Sequence, residues 1–245
     1  MNGMERIGKF EWIRLDATDS TNAEAKRRLA QGQGVEIPLL ISTERQTAGR
    51  GQRGNSWEAE DGKNLLFSML LHPKTVRADA AFEISAWVSV ALCKTLERYG
   101  AGFSIKWPND IYWKDKKVAG ILIENGLRGM WVDWSIVGIG LNVNQLRFVS
   151  DAPNPVSLAQ ILGHEVCRLQ VLPQFVETLS QQQVAEAWNA YRSRLYRREG
   201  VWTFQDVAGA FEARIVDVLP TGQLVLQRID GAQRHYAFQE VKFVM

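Results

Sequence analysis

Glycine and arginine alternate in AGRGQRGNSW, residues 48–57. Gly49, Gly51 and Gly54 free the backbone to turn several N–H groups toward one point, and Arg50 and Arg53 add charge, so the stretch suits an anion. The Gly-x-Gly-x-x-Gly spacing also matches a dinucleotide-binding loop, which needs a strand before it and a helix after it. IPLLIST (37–43) supplies the strand, but NSWEAEDGKN offers turn residues and Gly62 in place of a helix. LLFSMLLHP then reads as a second strand, stopped at Pro73 and lacking the carboxylate a ribose would need. The context excludes dinucleotide binding. A solvated Gly/Arg loop is the competing reading.

Three other stretches carry usable chemistry. In KWPND (106–110), Pro108 fixes a turn that would bring Lys106, Asn109 and Asp110 together. Lysine suits phosphate, asparagine a base or ribose, and aspartate a magnesium ion; a plain Pro-Asn-Asp turn between strands is the alternative. In KKVAGILIE (116–124), Lys117 stands at a strand start, where a solvated edge lysine is ordinary, and Gly120 permits close approach by a ligand or another backbone. In DSTN (19–22), Ser20 or Thr21 reads as a helix cap, which also leaves hydroxyl and N–H groups facing outward. His72, His164 and His235 are isolated, no metal-ligand spacing occurs, and no Ser-His-Asp grouping assembles.

The elements that must position these residues are partly legible. TNAEAKRRLAQG (21–32) reads as a helix, with Thr21 and Glu24 as a capping box and Gly32 as its stop. Residues 78–100 read as a second, largely buried helix. FSIKW, DIYW, KVAGILIE and MWVDWSIVGIGLNV read as strands, with KDKK (114–117) as a tight hairpin. VSLAQIL and the stretch 173–197 read as further helices. Helices scattered among strands, without strict βαβ alternation, predict an α+β fold with a mixed sheet. Beyond Gly200, short strands separated by Pro220-Thr221-Gly222 and Asp230-Gly231 predict a small β-domain packed on the larger one. The expected boundaries are 1–199 and 200–245.

Composition bounds the function. Of 245 residues 46% are apolar and 23% charged, and 29 basic against 27 acidic residues give a net charge of +2. That balance carries no footprint for duplex nucleic acid or an anionic membrane. There is no apolar signal region and no run approaching a membrane span; Cys93 and Cys167 fit no metal spacing. A cytoplasmic protein is expected, with no membrane partner.

Taken in order, DSTN, RQTAGRGQRGNSW, KWPNDIYWKDKKVAGILIE and VGIGLNVN, followed by a small β-domain, resemble the biotin–protein ligases over nearly the whole chain. The resemblance implies an α+β catalytic domain with a C-terminal SH3-like barrel. It implies a two-step reaction: biotin and MgATP give biotinyl-5′-adenylate and pyrophosphate, and the adenylate acylates a lysine of a biotin carboxyl carrier domain. It implies Lys117, Lys106 and Arg50 as the catalytic cations. Biotin falls to Ser20, Thr21, Asn22, Gln46, Gly49, Arg50, Gly51, Gln52, Lys117 and Gly120. The nucleotide falls to Arg53, Trp57, Lys106, Asn109, Asp110 and Asn142, with Asp110 toward magnesium. ATP and Mg²⁺ are then co-substrate and metal, with no tightly bound prosthetic group, and residues 48–56 form a lid over the adenylate. Gln52 stands where the family often carries arginine, which removes one guanidinium that could hold the adenylate. Some relatives also repress transcription through an N-terminal helix-turn-helix; DSTN begins at residue 19, so no DNA partner is expected. The oligomeric state stays open, a homodimer included. Lipoate–protein ligase, of similar fold and chemistry, and a non-catalytic phosphate- or nucleic-acid-binding module are the competing functions.

Overall fold

The computed structural model describes residues 5–150 and 154–244, with the side chain of Arg53 outside the described set. Its most apolar strand, β4 (Leu65–Leu71), is buried along its whole length and sits inside an eight-stranded sheet. Before it come β1 (Glu5–Ile7), β2 (Phe10–Thr18), helix α1 (Thr21–Ala30) and β3 (Leu39–Gln46); after it come α2 (Phe82–Leu96), β5 (Phe103–Lys106), β6 (Asp110–Trp113), β7 (Lys116–Arg128) and β8 (Trp131–Leu141). The strand order is β1-β2-β3-β4-β8-β7-β6-β5. β2 and β3 pair in parallel across α1, and all other neighbours are antiparallel, so the sheet is mixed.

Alternation along the strands divides the core between two faces. Leu40, Phe67 and Met69 join the cluster that α2 caps, together with Leu172 and Phe175 of α4 (after the short α3, Leu158–Leu162, comes α4, Arg168–Ser180). Leu39, Ile41, Leu70 and Ile136 face the other way and meet Ala25 and Leu29 of α1. α2 is almost apolar on every side, and its polar residues are satisfied internally: Ser89 Oγ donates to the Ser85 carbonyl and Thr95 Oγ1 to that of Ala91.

After α5 (Ala187–Ser193) the chain forms β9 (Trp202–Asp206), β10 (Gly209–Val218), β11 (Leu224–Arg228), β12 (Gln233–Tyr236) and β13 (Lys242–Phe243). These make an open antiparallel sheet, β12-β11-β10-β9-β13, whose outer strands are not paired to each other. The sheet packs on the first one as expected. Trp107 Nε1 donates to the Gly222 carbonyl at 2.8 Å, Arg192 meets Asp217 at 2.6 Å, and Phe204 and Leu224 belong to the same apolar cluster as Phe67.

Three details differ from the sequence reading. β1 and β2 were not anticipated, because Phe10 is the one fully buried side chain in β2 and the strand shows no clean alternation. The helical stretch begins at Arg168, and residues 181–186 separate α4 from α5. The capping box at Thr21 and Glu24 does not form: Ser20 is the N-cap with no side-chain capping bond, and Glu24 instead holds Arg27 and Arg28, each at 2.8 Å. The capping box that does form is Ser157 with Gln160 on α3. Among the described residues no helix is long and apolar enough to cross a membrane.

Candidate active site

A cavity of about 800 Å³ opens on the α1 side of the large sheet, walled by the start of α1, the loop after β3, the 106–110 turn, β7, β8 and residues of the second sheet. The four stretches that carry chemistry in the sequence therefore converge on one space.

At the α1 end the polar groups are already bonded to one another. The uncapped start of the helix leaves the Thr21 N–H free, and it donates to Gln46 Oε1 at 2.9 Å, with Thr21 Oγ1 3.2 Å from the same oxygen. Ser68, pointing out of β4 on this face, sits 2.7 Å from Thr21 Oγ1 and 2.6 Å from Asn22 Oδ1. Asn22 Nδ2 donates to Glu124 at 3.0 Å. Ser20, Thr21, Asn22 and Ser68 are all buried, so each unmet polar group would carry a desolvation cost. Beneath them the floor is glycine because nothing larger fits: a Cβ on Gly138 would lie 2.1 Å from Asn22 Oδ1.

The same device seats Trp57. Gly120 and Gly140 are cross-strand partners on β7 and β8, and the indole packs against both; a Cβ at Gly140 would come within 2.3 Å of the ring. The indole nitrogen is buried and unpartnered among the described residues. Gly49 also lies against the Trp57 carbonyl, 2.7 Å from an added Cβ, and the Trp57 N–H donates to the Gly49 carbonyl. The loop from Gly49 to Trp57 thus closes on itself as a small hairpin, with Arg50 bridged to Ser56. Arg50 is exposed on its rim and makes no side-chain hydrogen bond or ion pair among the described residues.

Gln52 ties the loop by hydrogen bonds to distant parts of the chain. Its Nε2 donates to Asn109 Oδ1 at 2.7 Å and to the Ile121 carbonyl at 3.1 Å, and Asn109 Nδ2 passes the connection to Ser85 on α2 at 3.0 Å. On the far side of Trp57, the Glu58 carboxylate receives the N–H groups of Val149 and Ser150 at 2.9 and 2.8 Å and the Gln145 amide at 3.1 Å. Burial pushes the Glu58 carboxyl up, but these hydrogen bonds outweigh it and hold the group below the usual range.

Three lysines bring cations to the cavity. Lys117 Nζ lies 2.7 Å from Asp110 and 5.6 Å from the Trp57 ring. Lys106 stands opposite Asp110 in the strand register across the β5–β6 turn, donates to Tyr112 Oη at 3.0 Å and sits 5.4 Å from the ring of Phe243. Burial lowers the Lys106 amine below its ordinary value, Asp110 opposes the shift, and Lys117 and Arg197 reinforce it. Lys242, on β13, completes the set from the second sheet.

Of the residues singled out by sequence, Ser20, Thr21, Asn22, Gln46, Arg50, Gly51, Gln52, Trp57, Lys106, Asp110, Lys117 and Gly120 line this cavity. Gly49 shapes the loop from behind, and Asn109 turns toward Ser85 and lines a neighbouring hollow. Asn142 is buried at the end of β8, where its Nδ2 donates to the Val156 carbonyl at 3.3 Å. Arg53's side chain lies outside the described residues. Sequence reasoning missed Ser68, Gly138 and Gly140, although GIG in the last motif carried the signal, and it missed Lys242 and Phe243, which nothing local marks. No group of three or more His, Cys, Asp or Glu that could hold a metal occurs among the described residues, and the single carboxylate here, Asp110, is engaged by Lys117.

Comparison with known proteins gives one answer. The model of the biotin/lipoate A/B protein ligase family matches residues 15–142. The chain is 34% identical over 234 residues to the biotin--[acetyl-CoA-carboxylase] ligase of Paracoccus denitrificans, covering 93% of this chain and 89% of that one. It is 27% identical over 241 residues to the bifunctional ligase/repressor BirA of Bacillus spizizenii, covering 92% of this chain and 72% of that one. Among solved structures, the biotin protein ligase from Aquifex aeolicus in complex with biotin and ATP matches with a TM-score of 0.75 at 25% identity, over 95% of this chain and 99% of that one. The chain belongs to the biotin/lipoate A/B protein ligase family.

Proposed function

We propose that this protein is an ATP-dependent biotin–protein ligase of the cytoplasm. It joins biotin to ATP as biotinyl-5′-adenylate, releases pyrophosphate, and transfers biotin to a lysine of a biotin carboxyl carrier domain. Residues 1–199 form the catalytic domain and 200–245 an SH3-like one. The observation that carries the reading is the convergence of a prewired polar recess, a glycine loop and three lysines on one cavity.

A biotin carboxylate and an ATP α-phosphate repel each other. The reaction needs them held together while charge develops, and no covalent bond to the enzyme is required. The recess at Ser20, Thr21, Asn22 and Gln46 offers the donors and acceptors a ureido ring requires. Lys117 and Lys106, with Arg50 on the loop, offset the charge as the carboxylate oxygen attacks phosphorus and pyrophosphate leaves. Lys117 exchanges its contact with Asp110 for the incoming anion. Trp57 and Asp110 lie toward the nucleotide, and Asn109 acts on that side through the bond it accepts from Gln52; Asn142 fixes the end of β8 behind it. Magnesium enters with the nucleotide as MgATP, with Asp110 toward it; among the described residues no group of three or more His, Cys, Asp or Glu stands ready to hold a metal. Closure of residues 48–56 keeps water from the mixed anhydride.

The test is exchange of labelled pyrophosphate into ATP, with biotin or with lipoate. Exchange that depends on biotin and not on lipoate supports the reading. Exchange with lipoate alone assigns the other acid, and none with either leaves a binding module.

A further inference from the structure

Beside the large cavity lies a second hollow of about 430 Å³, between the start of α2, the middle of β7 and the β10–β11 turn. The two share a wall formed by Gln52, Pro108, Leu122 and Phe238. Their chemistry differs. Arg50, Lys106, Lys117 and Lys242 face the large cavity, whereas no described side chain lining the hollow carries a charge. Its polar groups are amides and hydroxyls, Asn125, Thr221 and Gln223 among them, set beside Phe82 and Ile123. A nucleotide phosphate finds no cation there. A peptide backbone finds donors and acceptors, and the methylene stem of a lysine finds apolar wall.

We infer that this hollow admits the lysine-bearing segment of the acceptor protein, and that Gln52 stands where the lysine passes into the large cavity. The inference rests on the ligase reading, which requires an amine to reach the acyl group held in that cavity. In the transfer step the lysine Nζ attacks the acyl carbon of the adenylate. A C–N bond forms, the C–O bond to the phosphate breaks with its electron pair leaving on AMP, and the displaced amine proton passes to water. The amine must arrive unprotonated. An approach lined by neutral groups favours that form, because leaving water without a counter-charge lowers an amine's pKa. The cationic cavity is suited to the phosphates for the same reason that it is unsuited to an incoming ammonium.

Asn125→Arg on β7 and Thr221→Arg on the β10–β11 turn each put bulk and positive charge at an exposed position of the mouth. Neither residue belongs to the proposed adenylation machinery. Both variants should keep wild-type biotin-dependent pyrophosphate exchange, which also reports that they fold. Transfer to a purified biotin carboxyl carrier domain should slow at least about tenfold, the scale of a misplaced like charge at an interface. Unchanged transfer in both variants overturns the inference, and so does exchange that falls in parallel with transfer. Absence of biotin-dependent exchange in the wild type would instead sink the ligase reading itself.

Discussion

At one end of the large cavity Thr21, Gln46, Ser68 and Asn22 hold one another at distances between 2.6 and 3.2 Å, with Thr21, Asn22 and Ser68 beneath the surface. At the other end Arg50 and residues 54–56 stand in solvent, tied down by their own small hairpin and by Gln52. The recess is anchored on a helix start and two central strands, so its geometry is set by the core whether or not a ligand is present. The loop spans three glycines and no buried apolar side chain until Trp57, so ordering it draws on contacts a ligand must supply. One half of the site is made by folding and the other is finished by binding.

That contrast can be broken by experiment. The largest effect is expected at Lys117, the cation nearest the seat of Trp57: Lys117→Ala should lower biotin-dependent exchange by roughly 10²–10³, as for loss of one well-placed charge. A variant with near-normal exchange would remove Lys117 from the reaction.

Gly138→Ala tests the prewired half. Its new Cβ would collide with Asn22 Oδ1, so we expect a loss of about 1–3 kcal/mol in stability from overpacking. The biotin KM should rise while the ATP KM holds. Chemical denaturation with an unchanged midpoint would mean the recess yields more easily than its hydrogen bonds suggest.

Lys106 tests the charged wall. Its folded pKa lies below the ordinary lysine value, so the unfolded chain binds the proton more tightly. The penalty is fully present below the folded value and fades as pH rises through it toward the ordinary lysine range. Lys106→Met should therefore melt at higher temperature than wild type near neutral pH, with the advantage shrinking at alkaline pH. A gap that stays constant with pH would show that packing, not desolvation, decides it.

The smallest effect concerns the loop. Arg50 and Arg53 are trypsin sites, and cleavage there should slow with biotin and slow further with MgATP. Gln52→Ala should speed cleavage of the free protein by roughly fivefold, the equivalent of about 1 kcal/mol for its lost hydrogen bonds. Equal cleavage with and without ligands would leave the loop a plain connection.

Much of this was legible because the signals are local. The apolar run 65–71, the start of α1 and the glycine stop at 32 each depend on a few neighbouring residues, and all three hold in the structure. What escaped is what distance builds. Ser68 meets Thr21 across 47 residues and Gln52 meets Asn109 across 57, and no spacing rule reaches that far. Gln52 drew notice for the arginine it replaces, while its own carboxamide bonds became visible only once β7 and the 106–110 turn were placed beside it. Asn142, expected toward the nucleotide, donates its amide to the Val156 carbonyl where the chain after β8 doubles back beside Lys117, and its Oδ1 has no partner among the described residues.

The Trp107 indole, reaching from the 106–110 turn to the Gly222 carbonyl, has a consequence for how the molecule comes apart. Fewer than fifty residues make the second sheet, too few to hold a core unaided, and their apolar side chains run without a break into those under the large sheet. Melting the small sheet would strip cover from Trp107 and expose the turn that carries Lys106 and Asp110. The two sheets should therefore unfold together, in a single cooperative transition seen alike by calorimetry and by loss of activity, so that the chain has no half-folded form in which the lysines keep their places after the small sheet has melted.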